Sequence, residues 1–422
     1  MAWVFGTSTN YQTFADLLHN LATGSSLATL AINAAGSGYA VGDIVSISGG
    51  TQTVQGQAEV VSVGGGGAVT AVRIYNAGFY TVNPGTGAAT TALTGSGSGL
   101  TLNTTIAANG WTSRRSTNVG GSGQREVIVE GSGSGSDQIF VGWRSYSDVG
   151  SGATNLELAG FTGFNSGLTW ENQAGISPGR NTTTNGGAFV PLLNSTVTWW
   201  VSVNSRRIQF WANTSSCYAH GHLGLLNSFA TSGEYPLPLY ICGSTTERYR
   251  LPSTSTVFTS GLSDPQREQS SQVGPGLVRL QDGTWLSVAN AFNSSSRTAV
   301  IQGAVVYPAG TLSGANPVSD DQWFVSSDTW ASFIPQSPTQ NARLLPTEDS
   351  GGDYFVRVPC TIFYSVAAVP AGVLGEIDGV FWFEAASLVV ALNRLSEGSD
   401  RYRVFPNGVR TDNWALCAVK EA

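Results

Sequence analysis

The chain has 422 residues, enough for two or three domains and a sizeable core. Only 11% of them are charged, against roughly 25% in an average soluble domain, and the net charge of -7 argues against a general nucleic-acid binder, which needs a basic face. With 12 Trp, 18 Phe and 13 Tyr beside 53 Gly, the composition excludes disorder and points to turn-rich β-sheet with weakly charged surfaces suited to assembly.

The opening MAWVFGTSTNYQ has neither a basic region nor a long apolar run, so no secretory signal is expected. No apolar run of membrane-spanning length follows, so no span is expected either. Tyr11, Phe14, Leu18 and Leu21 recur at helical spacing beside Leu17. Thr9 or Asn10 caps the start and Gly24 ends the helix. His19 lies on it as a surface or rim residue.

Residues 29–105 read as a guest. Short β-branched runs, Ile44-Val45-Ser46-Ile47, then Val60 to Val63, then Val69 to Ile74, are each closed by glycines, as small strands require. The glycines are turn residues rather than a phosphate cradle, because no helix and no Lys-Ser/Thr pair follow them. Lifting the segment out joins the helix almost directly to Gly110-Trp111. A small β module inserted into a larger β domain is therefore expected.

From Gly110 the host resumes. EVIVE (126–130) and QIFVGW (138–143) flank GSGSGS as a hairpin, and residues 156–158 form a further strand. Residues 197–203 and 207–211 flank Asn204-Ser205 as a second hairpin. YPLPLY (235–240) is punctuated by proline and reads as an edge strand or loop. After a low-complexity stretch, residues 278–280 and 284–288 flank Asp282-Gly283 as a third hairpin. Strands follow at 300–307, 355–358, 362–366, 380–383, 402–405 and 414–419. Residues 385–395 fit either a strand or a helical turn. The fold expected is all-β: a β-sandwich host with one N-terminal helix and a small inserted β module. Its divisions are 1–28 (host helix), 29–105 (module), 106–252 (host β domain), 253–275 (low-complexity linker) and 276–422 (C-terminal β region).

No catalytic constellation stands out. His220 and His222 would share one face of a strand, but no third metal ligand is suitably spaced, so packing or interface roles are expected and no metal site. There is no GxSxG elbow for a serine nucleophile. Asp148, Glu157, Glu171, Asp320, Asp321, Glu376 and Asp378 offer carboxylates for glycoside hydrolysis, but spacing alone pairs none of them. Trp199, Trp200 and Trp211 fall on one hairpin, and Trp199 and Trp200 must face opposite ways. One is expected in the core and the other outward or at an interface, where it would stack on a partner or a sugar. Cys217, Cys242, Cys360 and Cys417 are expected as buried free thiols.

Several phrases carry a resemblance. MAWVFGTSTNYQTFADLLHNLA joined across the insert to ANGWTSRRS, then DQIFVGWRSYSD, LELAGFTGF, VTWWVSVNSRRIQFWA, HLGLLNSFATSGEYPLPLYICGS, GEIDGVFWF and YRVFPNGVRTDNWALCAV together touch most of the chain. They resemble tailed-bacteriophage virion structural proteins, in which a short DLL helix precedes a GW strand. The insert is similar to a glycine-rich β module that recurs across such proteins. The resemblance implies a non-enzymatic virion component without cofactor, of tail-tip or baseplate type. It would be made in the host bacterial cytoplasm and assembled as a symmetric homo-oligomer with other virion proteins. A receptor- or glycan-binding tail protein, contacting a host surface glycan, and a head decoration or neck protein are the alternatives. The family supplies no catalytic residue. This chain departs from its pattern in placing the module between the helix and the GW strand.

Overall fold

The computed structural model describes residues 1–119, 124–132, 139–148, 152–178, 187–215, 217–228, 239–245, 276–280, 283–288, 298–303, 347–348, 354–366, 369–385, 392–398, 400–406 and 416–421. The fold is all-β, with three sheets and one α-helix among these residues.

The chain starts with a strand, Ala2–Ser8, which pairs antiparallel with Val197–Asn204 from Ala2 opposite Val203 to Ser8 opposite Val197. The helix Tyr11–Thr23 follows at once. Asn10 caps it: its Oδ1 accepts the Thr13 N–H at 2.9 Å, while the Thr13 hydroxyl oxygen accepts the Asn10 N–H at 3.1 Å. This reciprocal box satisfies two donors that the first turn leaves orphaned. Tyr11, Phe14, Leu18 and Leu21 form one buried stripe. Fully burying a side chain such as Phe14 contributes roughly 1.5–3 kcal/mol, which holds this helix to the sheets.

Gly24 ends the helix with its backbone extended rather than left-handed (φ -102°). A Cβ there would overlap the Phe79 ring, so glycine is needed for close approach. The chain runs straight into the strand Ser25–Ser37, which pairs along its whole length with Ser98–Ala108. These two strands, rich in Ser, Thr and Ala, lengthen the guest segment beyond residues 29–105 on both sides. They join Thr51–Val54, Phe79–Val82, Ala88–Ala92, Ile44–Ile47, Gln57–Val63 and Val69–Asn76 in an eight-stranded sheet. The sheet folds over its own core of Leu27, Tyr39, Val45, Val60, Tyr80 and Leu102. Where the chain leaves the module, the Asn109 N–H donates to the Gly24 carbonyl at 2.9 Å. The Asn109 amide donates to the Leu21 carbonyl at 2.7 Å and to the Ser26 hydroxyl at 3.1 Å. One asparagine thus clasps both ends of the insert and satisfies a helix C-terminal carbonyl.

The strands Thr112–Val119, Gln124–Gly131, Ile139–Asp148, Ala153–Phe161 and Ala188–Leu192 form a five-stranded antiparallel meander. The third sheet runs from Ala2–Ser8 through Val197–Asn204, Arg207–Thr214, Cys217–Leu225, Leu239–Cys242, Gly276–Arg279 and Trp285–Val288. It continues through Thr298–Gly303, Tyr354–Val366, Val369–Ala385, Leu416–Lys420 and Asp400–Pro406 to Arg394–Glu397. Strands from 197–242 and from 276–420 therefore share one sheet, since Tyr240 pairs with Val278; residues 253–275 lie outside the described ones. The strand Leu239–Cys242 is interior, flanked on both sides, not the edge that its prolines suggested.

The central strands bury both faces. One face, with Trp199, Val201, Ile208, Phe210 and Leu223, packs with the helix against the five-stranded sheet. The other, with Trp200, Trp211 and Tyr240, packs against Ile362, Val380, Phe405, Cys417 and Val419 from the far end of the same sheet, which curls back over itself. One β layer stacked on each side of the central strands gives the sandwich-like architecture.

Candidate functional site

All five residues singled out as surface or interface candidates lie inside the chain: Trp199 is 1% exposed, Trp200 8%, Trp211 1%, His220 4% and His222 0%. Their rows follow from strand register. Trp200, Trp211 and His220 sit side by side on three adjacent strands, and Gln209, His222 and Cys242 occupy the next row. Trp199 points the opposite way, against Phe14 at 6.5 Å between ring centroids, with its indole N–H donating to the Ser8 hydroxyl at 3.0 Å. The outward face expected for the second tryptophan is closed by Phe405. That ring stacks on Trp211 (4.8 Å, 12°), meets Trp200 edge-on (5.4 Å, 67°) and lies 6.4 Å from Trp3. Phe405 comes from 194 or more residues downstream, so no local pattern announced it.

Below this aromatic cluster lies a polar network around Arg207, whose side chain is 1% exposed. Its Nε donates to Asp378 Oδ2 at 2.7 Å, Nη1 to the Ser202 hydroxyl at 3.0 Å and to Gln209 Oε1 at 2.7 Å, and Nη2 to Met1 Sδ at 2.9 Å. With Gln209 Oε1 taken by arginine, the Gln209 amide donates to the Asp378 carbonyl at 2.8 Å and to His222 Nδ1 at 3.0 Å. This assigns His222 as a neutral imidazole with its proton on Nε2. Burial first, and then the Arg207 charge, push its pKa down to about 3. Burial pushes His220, beside the Ser244 hydroxyl, down to about 3 as well. Both rings are therefore neutral packing elements. Among the described residues no group of three His, Cys, Asp or Glu is placed to hold a metal ion. The four cysteines are buried and form no disulfide, and burial pushes the Cys417 thiol up to about 12.

Three of the candidate carboxylates, Glu157, Glu171 and Asp378, are drawn into ion pairs. Glu157 accepts from Arg144 at 3.1 Å and Glu171 at 2.5 Å, and the Arg144 guanidinium stands over the Trp170 ring at 5.2 Å. Asp378 holds Arg207, and burial raises the pKa of Glu376. Asp320 and Asp321 lie outside the described residues, as does the side chain of Asp148.

Among the described residues, an extended junction that sequence reasoning missed is the seam between the inserted module and the rest of the chain. At its stem, the Ala77 N–H donates to the Trp3 carbonyl, the Asn76 amide donates to the Phe5 carbonyl, both at 2.9 Å, and Phe5 meets Tyr75 edge-on at 5.4 Å. The Gly110-Trp111 pair locks the exit. Gly110 adopts φ +93°, and a Cβ there would stand 2.6 Å from Ser205; Trp111 donates its indole N–H to the Asn204 carbonyl at 2.6 Å. Beside the stem opens a cleft of about 470 Å³ between Met1, Ser26, Arg73, Ala108 and Ser205. On the far flank, Glu59 accepts from Arg73 at 2.9 Å and from Arg394 of the C-terminal hairpin at 2.8 Å, and Arg394 also pairs with Glu421. The Arg394 guanidinium covers the Tyr75 ring at 4.6 Å. Burial raises the Glu59 pKa, but its bond from Arg73 and the charge of Arg394 outweigh that and hold it below the ordinary range. The seam is thus a fixed joint: apolar and backbone contacts at one end and charge-assisted bonds at the other.

No protein-family model matches this chain, and no curated protein matches it.

Proposed function

We propose that this chain is a non-enzymatic structural component of a tailed-bacteriophage virion, built into the tail tip or baseplate as a symmetric homo-oligomer in contact with other virion proteins. The observation that carries this reading is the seam: the inserted module is fixed to the first strand at its stem and to the C-terminal hairpin at its flank. A part that transmits contact forces needs such two-point fixation, because a lobe held only by its stem would pivot. The phrase-level resemblance to phage structural proteins supplies the virion context. In that context the GW pair locks the module's exit onto the Asn204-Ser205 turn.

The residues best suited to other roles are already occupied. Trp199 and Trp200 are interior, so a sugar-stacking platform on them is not part of this proposal. Glu157 and Glu171 both bind Arg144. No described helix is long and apolar enough to cross a membrane.

Electron microscopy of purified particles, labelled with an antibody against residues 25–108, tests the proposal. Label at the far end of the tail supports it. Label on the capsid or neck replaces it with a decoration or connector role. Absence of the protein from particles by both labelling and mass spectrometry overturns it.

A further inference from the structure

The flank where the module meets the C-terminal hairpin carries more positive charge than its carboxylates neutralise. Arg394 and Arg403 lie directly opposite each other on paired strands, and Arg401, two residues before Arg403, projects from the same face. Glu421 lies against them, its N–H donating to the Arg401 carbonyl at 2.8 Å. Facing them from the module are Glu59, Arg73 and Tyr75.

Three of the four arginines are matched. Arg73 binds Glu59, Arg394 bridges Glu59 and Glu421, and Arg403 binds Glu421 at 3.0 Å. Arg401 is not. It forms no ion pair among the described residues, and its Nε is buried without a hydrogen-bond partner. The nearby Asp400 is engaged by Lys420 at 2.8 Å and by the Tyr402 hydroxyl at 3.2 Å. Two carboxylates therefore serve four guanidinium groups, within a chain whose net charge is -7. Burial, and then the closeness of Arg73, lower the Arg401 pKa against the opposing charges of Glu59 and Glu421. Arg73 engages Glu59 through Nε and Nη2, which leaves Nη1 to donate elsewhere.

We propose that this flank is an oxyanion-binding site, in which Arg401 and Arg73 together take a phosphate or carboxylate group. Planar guanidinium forks match two oxygens of such a group, and a lysine in the same place would not. The shared chemistry is a small oxyanion. Its source is either a free or phosphoryl-bearing molecule or an acidic side chain of a neighbouring chain.

Thermal unfolding of the full chain tests this in two titrations, one with sodium phosphate and one with succinate, each at ionic strength held constant with sodium chloride. The expected result is a saturable rise in melting temperature in at least one titration, because a ligand that binds only the folded state stabilises it by mass action. Arg401→Gln abolishes the rise without lowering the starting melting temperature, since the Arg401 side chain forms no ion pair among the described residues and its Nε has no hydrogen-bond partner. Arg401→Lys keeps the charge but loses the fork, and weakens the apparent affinity by about tenfold. Arg206→Gln, on the exposed Ser205-Arg206 turn, leaves the rise intact. Phosphate binding about tenfold tighter than succinate assigns a phosphoryl source, and the reverse assigns a carboxylate. Melting temperatures equal to the chloride control in both titrations, or an undiminished rise in Arg401→Gln, overturn the proposal.

Discussion

Acidification from about pH 7.5 to pH 5 is expected to remove a large part of this protein's stability through His220 and His222. Both rings are held near a pKa of about 3 in the folded chain, whereas an unfolded histidine titrates near 6.5. The unfolded state therefore binds more protons between pH 6.5 and 3, and stability falls as pH falls through that window. At pH 5 the loss is about 2 kcal/mol per histidine, or about 4 kcal/mol for the pair, against a total of roughly 5–15 kcal/mol for a typical domain. His222 has a further obstacle: a proton on Nδ1 would face the Gln209 amide, itself a donor at 3.0 Å. His19, half-buried on the helix and also lowered by burial and then by Arg125, adds a smaller term of the same sign. The assay is urea unfolding followed by tryptophan fluorescence at both pH values, in the native protein and in His222→Gln. The native midpoint should fall steeply on acidification, and the variant should show a shallower slope by about one histidine's share. Equal stability at the two pH values, or an unchanged slope in His222→Gln, would refute the neutral, buried assignment.

Three further outcomes follow from the same packing. Asp378→Ala leaves the Arg207 charge in a site 1% exposed with only neutral acceptors, and should cost about 3 kcal/mol in urea unfolding; the double variant with Arg207→Met should recover part of it. Phe405→Ala empties the space between Trp200 and Trp211 and should cost about 3–5 kcal/mol, with a change in tryptophan emission that a surface variant would not give. Arg394→Ala removes the bond between module and hairpin; hydrogen exchange should rise along Gln57–Val63 while Val197–Asn204 stays protected, and equal protection in both would count against a two-point joint.

Local rules carried some elements completely. The spacing of Tyr11, Phe14, Leu18 and Leu21, with Asn10 ahead of them, specifies the helix, because every interaction in that reading lies within one turn. The turn at Asn204-Ser205 was equally legible: Asn204 Oδ1 accepts from the N–H groups of Arg206 and Arg207, and that chemistry needs no distant partner. Opposite facing of Trp199 and Trp200 also follows from strand geometry alone.

What covers each face was decided only in three dimensions. Alternation states that Trp200 and Trp199 point apart, but burial of both depends on Phe405 on one side and Phe14 on the other. The strands Ser25–Ser37 and Ser98–Ala108 carry no aromatic residue and no valine; they are strands because they pair with each other across sixty intervening residues, and residues 29–105 consequently understated the module. The seam, too, joins Glu59 to Arg394, residues far apart in the chain. Sequence by itself therefore determined the β class, the N-terminal helix and the tight turns, which rest on neighbours within a few positions, and the presence of an insert, which rests on the change of pattern between the helix and Gly110-Trp111. Tertiary structure alone decided which aromatics and histidines are interior and where the module is fixed, because burial and ion pairing depend on which strands the sheet's curl brings face to face.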